Sequence, residues 1–353
     1  MAITVPPVDV VAALIKGVTW GTPVDADVTT KRIPIQTESI EEQVVRAPDM
    51  GYAGVASQRY EIPGTIAAAG SIEGFLDFDN WDLATALVFG TAGAPVQVGG
   101  TAAYTNTYNL IARAYGLFGS LAIEKNVDLV EYGSVKIFGM HIRGQAGQPW
   151  RVSYDLMADK KLFDTSSSYG ATADVLTTTT YQKSPPPLAV WNTAANNVFR
   201  LNLNSGGALA SGDNIYPESF ELNIVRSMRS IFTSRNVPYQ DEPADNGFIE
   251  IGGSFTLPLY EAITYEEYHL AGTRLKMSIA LLGDIIAAAN AYQFTINIPQ
   301  LQITSAPTRI SGPETVQHPI SFRASVAASN PTGMSDTETY IDIQNTRTAS
   351  PLA

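Results

Sequence analysis

The sequence is dominated by short runs in which apolar and polar residues alternate. An alternation with a period of two places the apolar side chains of an extended chain on one face, so each run predicts a β-strand with one buried face. β-branched and aromatic residues are frequent in these runs, as strands favour. The runs are Val135-Lys136-Ile137-Phe138, Val152-Ser153-Tyr154-Asp155-Leu156, Leu201-Asn202-Leu203-Asn204, Phe220-Glu221-Leu222-Asn223-Ile224, Phe294-Thr295-Ile296-Asn297-Ile298 and Ile320-Ser321-Phe322.

Few segments have helical character. The first has apolar residues at helical spacing, with Asp79 or Asn80 as the expected N-cap and Gly90 as the stop. The second ends before Gly272, and the third would be one short turn. The predicted helical segments are residues 81–89, 261–271 and 287–289. The sequence therefore predicts a mainly β protein with one helix in each half.

The composition changes in the middle of the chain. A stretch rich in Ser and Thr is followed by Pro185-Pro186-Pro187, which favours an extended segment outside any sheet ladder. We interpret this stretch as a linker between two domains. The polar C-terminal residues predict an arm or a mobile tail. The expected order is a first domain over residues 1–162, a linker over 163–199, a second domain over 200–328 and a C-terminal arm over 329–353.

The two halves share an order of motifs that indicates an internal repeat. In each half a strand leads to a long loop, a second strand, a helix and further strands. The alternative is that two unrelated β-domains share a generic alternation. The first half also has an insert at residues 92–119, whose role the sequence leaves open. The matched motifs are Glu38-Ser39-Ile40-Glu41 with Glu218-Ser219-Phe220-Glu221, Val45-Arg46 with Val225-Arg226, Gly70-Ser71 with Gly253-Ser254, and Val152-Ser153-Tyr154 with Ile320-Ser321-Phe322.

A long hairpin is expected in each half, at residues 46–61 and 226–247. Loops of this length are usually functional or disordered. Apolar side chains on a protruding hairpin are unfavourable in water, so we expect them to contact a neighbouring subunit. The alternative is a hairpin folded back on its own domain. The expected contact residues are Arg46, Met50, Tyr52, Val55, Met228, Arg229, Ile231, Phe232 and Arg235.

Charge and composition exclude several classes of function. Among 353 residues, 34 are acidic and 22 basic, giving a formal net charge of −12. This balance disfavours tight nucleic-acid binding, which needs basic side chains. The chain has no cysteine, so disulfides and thiolate chemistry are excluded. We expect no signal peptide, because residues 1–14 lack a basic start and Asp9 interrupts their apolar run. We expect no membrane insertion, because no run of about 20 uncharged apolar residues occurs.

No pattern typical of catalysis or metal binding is present. The three histidines lie in different segments without metal-ligand spacing. The acidic cluster at the start of the first helix is best explained by helix capping. Neither a phosphate-binding glycine loop nor a nucleophile elbow occurs. We therefore predict a protein that is not an enzyme, with no catalytic residues, no metal site and no cofactor. The histidines are His141, His269 and His318, and the acidic cluster is Asp77, Asp79 and Asp82.

Several segments resemble phage tail tube proteins. They are Val18-Thr19-Trp20-Gly21-Thr22-Pro23, Ser120-Leu121-Ala122-Ile123-Glu124-Lys125-Asn126, Tyr132-Gly133-Ser134-Val135-Lys136-Ile137, Trp150-Arg151-Val152-Ser153-Tyr154-Asp155-Leu156-Met157-Ala158, Ser219-Phe220-Glu221-Leu222-Asn223-Ile224 and Gly252-Gly253-Ser254-Phe255. The resemblance covers most of residues 15–327. It implies two tandem β-sandwich or partly closed β-barrel domains, each flanked by one helix. The resemblance rests on the order of weakly specific patterns, since the family has no catalytic signature.

The resemblance also implies an assembly. Six domains, supplied by three tandem chains, would form a ring, and stacked rings would form the tail tube of a long-tailed, non-contractile phage. Double-stranded DNA would pass through the lumen. Expected partners are the tape measure, tail terminator and distal tail proteins. The subunit would be assembled in the host bacterial cytoplasm and reside in the virion tail.

Two alternatives stay open at the level of sequence. One is the inner tube of a contractile tail or of a secretion apparatus. The other is a glycan-binding β-sandwich module, which predicts exposed aromatic platforms.

For the tube, DNA passage favours an acidic lumen, since a basic wall would bind the phosphates. The expected lumen-facing acidic residues are Glu41, Glu221 and Asp155, with Glu41 and Glu221 at matching places in the two repeats.

Overall fold

The computed structural model describes residues 11–24, 32–48, 61–124, 129–163, 187–192, 195–234, 238–260, 262–308 and 316–353. These residues form nineteen strands linked by hydrogen bonds into one network, with two α-helices. The predicted mainly β fold is confirmed. Neither helix in these ranges is long and apolar enough to cross a membrane.

The strands of the first half pair antiparallel, mostly with one another. They are β1 (Val11–Lys16), β2 (Arg32–Ile33), β3 (Ile35–Glu38), β4 (Glu41–Pro48), β5 (Glu61–Phe75), β6 (Val96–Gln97), β7 (Tyr104–Asn109), β8 (Gly119–Glu124), β9 (Leu129–Gln145), β10 (Arg151–Ala158) and β11 (Lys161–Phe163). Helix α1 (Asp82–Phe89) lies between β5 and β6.

The second half has fewer and longer strands. They are β12 (Asn197–Leu203), β13 (Asn214–Ile215), β14 (Ser219–Ile231), β15 (Asp241–Leu257), β16 (Leu275–Ala287), β17 (Asn290–Ser305), β18 (His318–Ala324) and β19 (Tyr340–Asn345). Helix α2 (Thr264–Ala271) lies between β15 and β16. Five of the six alternating runs lie within strands and have one buried face. The run from Leu201 to Asn204 lies at the end of β12 and has no buried face, since Leu203 is 37% exposed and Asn204 follows the strand.

The two halves have the same strand order. In the first half β4 pairs with β5, followed by β10, β9, β8 and β1. In the second half β14 pairs with β15, followed by β18, β17, β16 and β12. A β-bulge interrupts β9–β10 beside the Asp155 pair, and another interrupts β17–β18 beside the Ser321 pair. Matching bulges fix which residues of the two halves are equivalent.

This equivalence corrects the register read from sequence by two residues. Ser71 of β5 and Ser254 of β15 hold equivalent places, because they pair with Asp155 and Ser321 respectively. The backbone N–H of Ser39 donates to the Ser71 carbonyl, whereas Glu221 pairs with Ser254. Ser39, rather than Glu41, is therefore the equivalent of Glu221. A shift of two residues keeps every side chain on its face, so alternation alone cannot detect it.

Both main helices are confirmed, with different starts. Each ends at a glycine in the left-handed conformation, Gly90 with φ 93° and Gly272 with φ 61°. The N-cap prediction for α1 was wrong, because the cap position is Trp81, which makes no side-chain capping bond. Asp77 instead organises the preceding turn by accepting hydrogen bonds from the backbone of Asp79 and Asn80 at 2.9 and 2.7 Å.

The third predicted helical turn, at residues 287–289, is wrong. Ala287 pairs with Asn290, so only two residues connect β16 to β17. Ala288 takes a positive φ of 54° there. A two-residue hairpin turn of this kind is too tight for a helical turn and commonly needs positive φ values.

Part of the expected linker is anchored to the first half. The N–H of Ala189 donates to the Leu76 carbonyl at 2.9 Å, and the N–H of Trp150 donates to the Ala189 carbonyl at the same distance. The indole rings of Trp150 and Trp191 stack with centroids 5.1 Å apart. Residues 187–192 are therefore packed against the first half, whereas residues 164–186 lie outside the described residues.

The expectation of a polar arm or mobile tail at residues 329–353 is wrong for β19. This strand pairs with β17 on one side and with β7 on the other. Ile341 and Ile343 are buried, because they alternate with polar residues along the strand. The insert at residues 92–119 thus provides β7, the strand on which the C-terminal segment closes.

We predict that Ile341→Ala destabilises the protein by about 2–5 kcal/mol, the usual cost of truncating a buried isoleucine. Ile341 is 0% exposed. Urea unfolding followed by circular dichroism would measure the change. The matched control is Thr348→Ala in the same segment, at an exposed position. Equal stability of both variants and the wild type would mean that the segment behaves as a free tail.

Candidate assembly interface

One antiparallel ladder joins the two halves of the chain. Seven consecutive residues of β14, from Ser219 to Val225, pair with β9 from Gln145 to Gly139. Strand β9 therefore has β10 on one side and β14 on the other. The ladder satisfies backbone groups that would otherwise lie at two open sheet edges.

An apolar face and an aromatic cluster lie beneath this ladder. Met140 and Ile142 of β9 and Leu222 and Ile224 of β14 are all 0% exposed. Beside them, the Trp150 ring lies 6.2 Å from Phe199 and 6.0 Å from Phe220 of the second half. The Trp150 indole N–H donates to the Asn197 amide oxygen at 2.8 Å, so its polar atom is satisfied. The core is continuous across the two halves.

Arg226 of β14 is buried against the end of helix α1. Its Nε donates to the Val88 carbonyl at 2.5 Å, and its Nη2 donates to the carbonyls of Phe89 and Ile111, each at 2.8 Å. The carbonyls at a helix C-terminus lack partners within the helix and carry a partial negative charge. A cation of the second half thus caps a helix of the first half. Asp245 lies 3.5 Å away and contributes a countercharge.

A second buried charge pair holds the insert of the first half. Lys136 of β9 donates from Nζ to Glu242 Oε1 at 2.6 Å and also to the Ala114 carbonyl. The Gly116 N–H donates to the same Glu242 oxygen at 2.8 Å. Burial lowers the pKa of Lys136, and the hydrogen bond that Lys136 donates to Glu242 opposes that shift. Removing either partner would leave a buried charge without compensation.

The opposite face of the ladder is polar and crosses the junction. The two ring nitrogens of His141 lie 2.7 Å from Asp155 Oδ2 and 2.6 Å from Asn223 Oδ1. Asn223 Nδ2 donates to Glu221, and this hydrogen bond orients the Asn223 amide so that its Oδ1 faces the imidazole ring of His141. Because both ring nitrogens face acceptors, the protonated imidazole fits best. The hydrogen bond to Asp155 raises the pKa of His141.

The three acidic residues that we expected to face the lumen all lie on this polar face. Asp155 contacts His141, Glu221 is half-buried beside Asn223, and Glu41 is exposed at the start of β4. Nearby, Glu73 accepts hydrogen bonds from Arg143 and Arg151 at 3.1 and 3.2 Å. The polar face therefore carries both signs of charge.

The expected hairpins exist, but the second one is mostly strand. Strands β14 and β15 pair from Ser219 as far as Ile231, so Met228 and Arg229 lie on a ladder. The hairpin reaches the first half of its own chain, because the Ile66 N–H donates to the Pro238 carbonyl at 2.9 Å. Of the expected contact residues, Phe232 is 41% exposed. Arg46 is also exposed, and its guanidinium lies 3.6 Å from the Glu61 carboxylate. The residues that lie outside the described ranges are Met50, Tyr52, Val55 and Arg235.

Sequence reasoning missed the residues that lock the hairpin to the first half. Arg226 continues the alternation of Phe220, Leu222 and Ile224, which was a signal for burial. Lys136 also interrupts an apolar run at Val135 and Ile137. Charged residues at apolar positions of a strand need a buried partner. The groups they bind, Glu242 for Lys136 and the carbonyls at the end of α1 for Arg226, are more than 100 residues away in sequence and have no comparable signal.

The described residues contain no group of three or more His, Asp or Glu side chains able to hold a metal ion. The geometry of the junction is therefore one of packing and pairing. It links strands, satisfies backbone groups and aligns polar side chains on one face.

The chain matches a known protein family. The family model for phage tail tube proteins covers residues 8–324. No curated protein matches the chain. The matched family is structural, belongs to the virion tail and assembles into a tube; it is not a class of enzymes.

We predict that His141 makes stability depend on pH. Because the pKa of His141 is raised in the folded state, its stabilising contribution is complete below the unfolded value of about 6.5 and is lost as pH rises through the folded value. Urea unfolding at acidic and mildly alkaline pH should show the wild type losing more stability with rising pH than His141→Gln. His269→Gln, on helix α2, is the matched control. Identical pH dependence in the wild type and His141→Gln would refute the assignment.

Proposed function

We propose that this chain, which belongs to the phage tail tube protein family, forms head-to-tail rings that stack into a tube conducting DNA. The observation that carries this proposal is the β9–β14 ladder between the two halves. It is a contact between equivalent units within one chain. The same contact can be repeated between chains.

The two ends of the chain's strand order offer the surfaces that such repetition needs. Glu41–Gln43 of β4 are equivalent to Asn223–Val225 of β14, and Ser305–Pro307 are equivalent to Gly139–His141 of β9. Among the described residues, β4 pairs only with β5, and Ser305 pairs only with β18. Pairing Glu41–Gln43 of one copy with Ser305–Pro307 of the next would extend the sheet.

A head-to-tail contact that closes on itself makes a ring, and rings that stack make a filament. With two equivalent units in each chain, three copies would supply six units. The tape measure, tail terminator and distal tail proteins are the proposed partners, with double-stranded DNA passing transiently. We place the subunit in a non-contractile tail assembled in the host bacterial cytoplasm.

The first prediction concerns ring stoichiometry. Negative-stain and cryo-electron microscopy of the purified protein should show stacked rings with three chains per layer. Three copies follow from six units per ring with two units per chain. Six chains in one layer would contradict the trimer but leave the tube intact. A protein that stays monomeric at high concentration would contradict the proposal as a whole.

The second prediction concerns stacking of rings by the hairpins. Phe232 is 41% exposed at the end of β14, and Met228 and Ile231 are partly buried on the same hairpin. Burying such side chains against the next ring would contribute about 1.5–3 kcal/mol each. Replacing all three by Ser should allow single rings but prevent long tubes, as seen by electron microscopy. The single variant Phe232→Ser should keep the fold and shorten the tubes; tubes of normal length from both variants would exclude this role.

The third prediction concerns the lumen. We propose that the polar face of the junction lines it, where an acidic excess would repel the phosphates of DNA within a Debye length of about 8 Å. In a cryo-electron microscopy map of the tube, the charges facing the lumen should sum to a negative value; a neutral or positive sum would contradict the idea. Among the described residues, the strand pairing puts the carboxylates Glu41, Glu73, Asp155, Glu221 and Glu250 and the guanidinium groups Arg143, Arg151 and Arg323 on this face.

A further inference from the structure

The ends of the two helices differ in how they are covered, although they are equivalent in the fold. Helix α1 follows β5, helix α2 follows the equivalent strand β15, and each ends at a left-handed glycine. Val88 of α1 is 0% exposed, whereas its equivalent in α2, Leu270, is 84% exposed. The last turn of α1 is covered partly by Arg226, which belongs to the other half of the chain.

The hairpins that carry Arg226 and its equivalent also match. A β-bulge separates the Arg226 and Met228 pairs in β14–β15, and a β-bulge separates the Val44 and Arg46 pairs in β4–β5. Arg226 pairs with Ile249, and Val44 pairs with Ile66 at the equivalent place in β5. Val44 of the first half therefore holds the position that Arg226 holds in the second.

Val44 and Leu270 are both apolar residues that are exposed in the single chain. Val44 is 38% exposed, its neighbour Val45 is 60% exposed, and Leu270 is 84% exposed. Their equivalents, Arg226 and Val88, meet at the junction between the halves, where the Arg226 side chain donates to the Val88 carbonyl. Applying the geometry of the β9–β14 junction to two copies brings Val44 of one copy to the last turn of α2 in the other.

We propose that the β4–β5 hairpin of one copy covers the C-terminal turn of helix α2 in the neighbouring copy, with Val44 packed on Leu270. This rests on the proposed head-to-tail assembly and assigns its lateral contact to named residues. Within the chain the equivalent contact is made by a buried arginine. Between chains it is made by apolar side chains, so this contact forms without the desolvation of a charged group.

The test uses the full-length chain and the concentration at which tubes begin to form. Val44→Asp and Leu270→Asp should each raise that concentration by roughly tenfold or more, because an unpaired carboxylate would be buried in the contact. Combining Val44→Asp with Leu270→Lys should restore assembly, since the two charges then pair across the interface. Val96→Asp, on exposed β6, is the matched control and should assemble like the wild type. Circular dichroism would establish that each variant folds; if Val44→Asp does not, Val44→Lys with Leu270→Asp supplies the same pair.

Normal assembly of either single variant would overturn the contact, and so would loss of assembly that the charge pair does not restore. In both cases the wild type still forms tubes, so the proposed function stands. A wild type that forms neither rings nor tubes would instead remove the proposed function on which the contact depends.

Discussion

The structure depends on one antiparallel ladder, in which β14 of the second half pairs with β9 of the first. Seven residue pairs satisfy the backbone groups of two strands that would otherwise be open edges. The ladder also aligns Met140 and Ile142 with Leu222 and Ile224, so that one apolar core extends beneath both halves. The polar face above it is aligned in the same step, which is how His141 comes to lie between Asp155 and Asn223.

Buried charges hold the β14–β15 hairpin in a single position on the first half. A buried ion pair adds little net stability, because desolvation offsets the attraction between its partners. Separating such partners is costly, since each would remain buried without compensation. Arg226 on the α1 carbonyls and Lys136 on Glu242 therefore act against any other register of the hairpin. The apolar contacts nearby would tolerate a shift more easily.

Much of the fold was predictable because strand alternation is a local signal. The runs around Val152, Phe220 and Phe294 became strands as expected. Strand β19 was missed because its alternation is short and polar residues surround it. The register of the repeat was misjudged by two residues, since a period of two looks the same after that shift. The pairs of Arg226 and Lys136 required knowledge of which distant strands meet.

The edges that the proposed assembly would join are protected in the single chain. Strand β4 begins with Glu41 and Glu42, and at the other edge Pro307 lies two residues after Ser305. Charged residues and prolines on edge strands disfavour uncontrolled pairing. Inside the chain, the equivalent edges meet once during folding and are then locked by Arg226. Between chains, a weaker and apolar contact at the same place suits subunits that must remain separate until they join a ring. The repeat would thus use the same strand pairing within the chain and between chains. The buried Arg226 would make the internal junction permanent, and the apolar Val44 would make the contact between chains weaker.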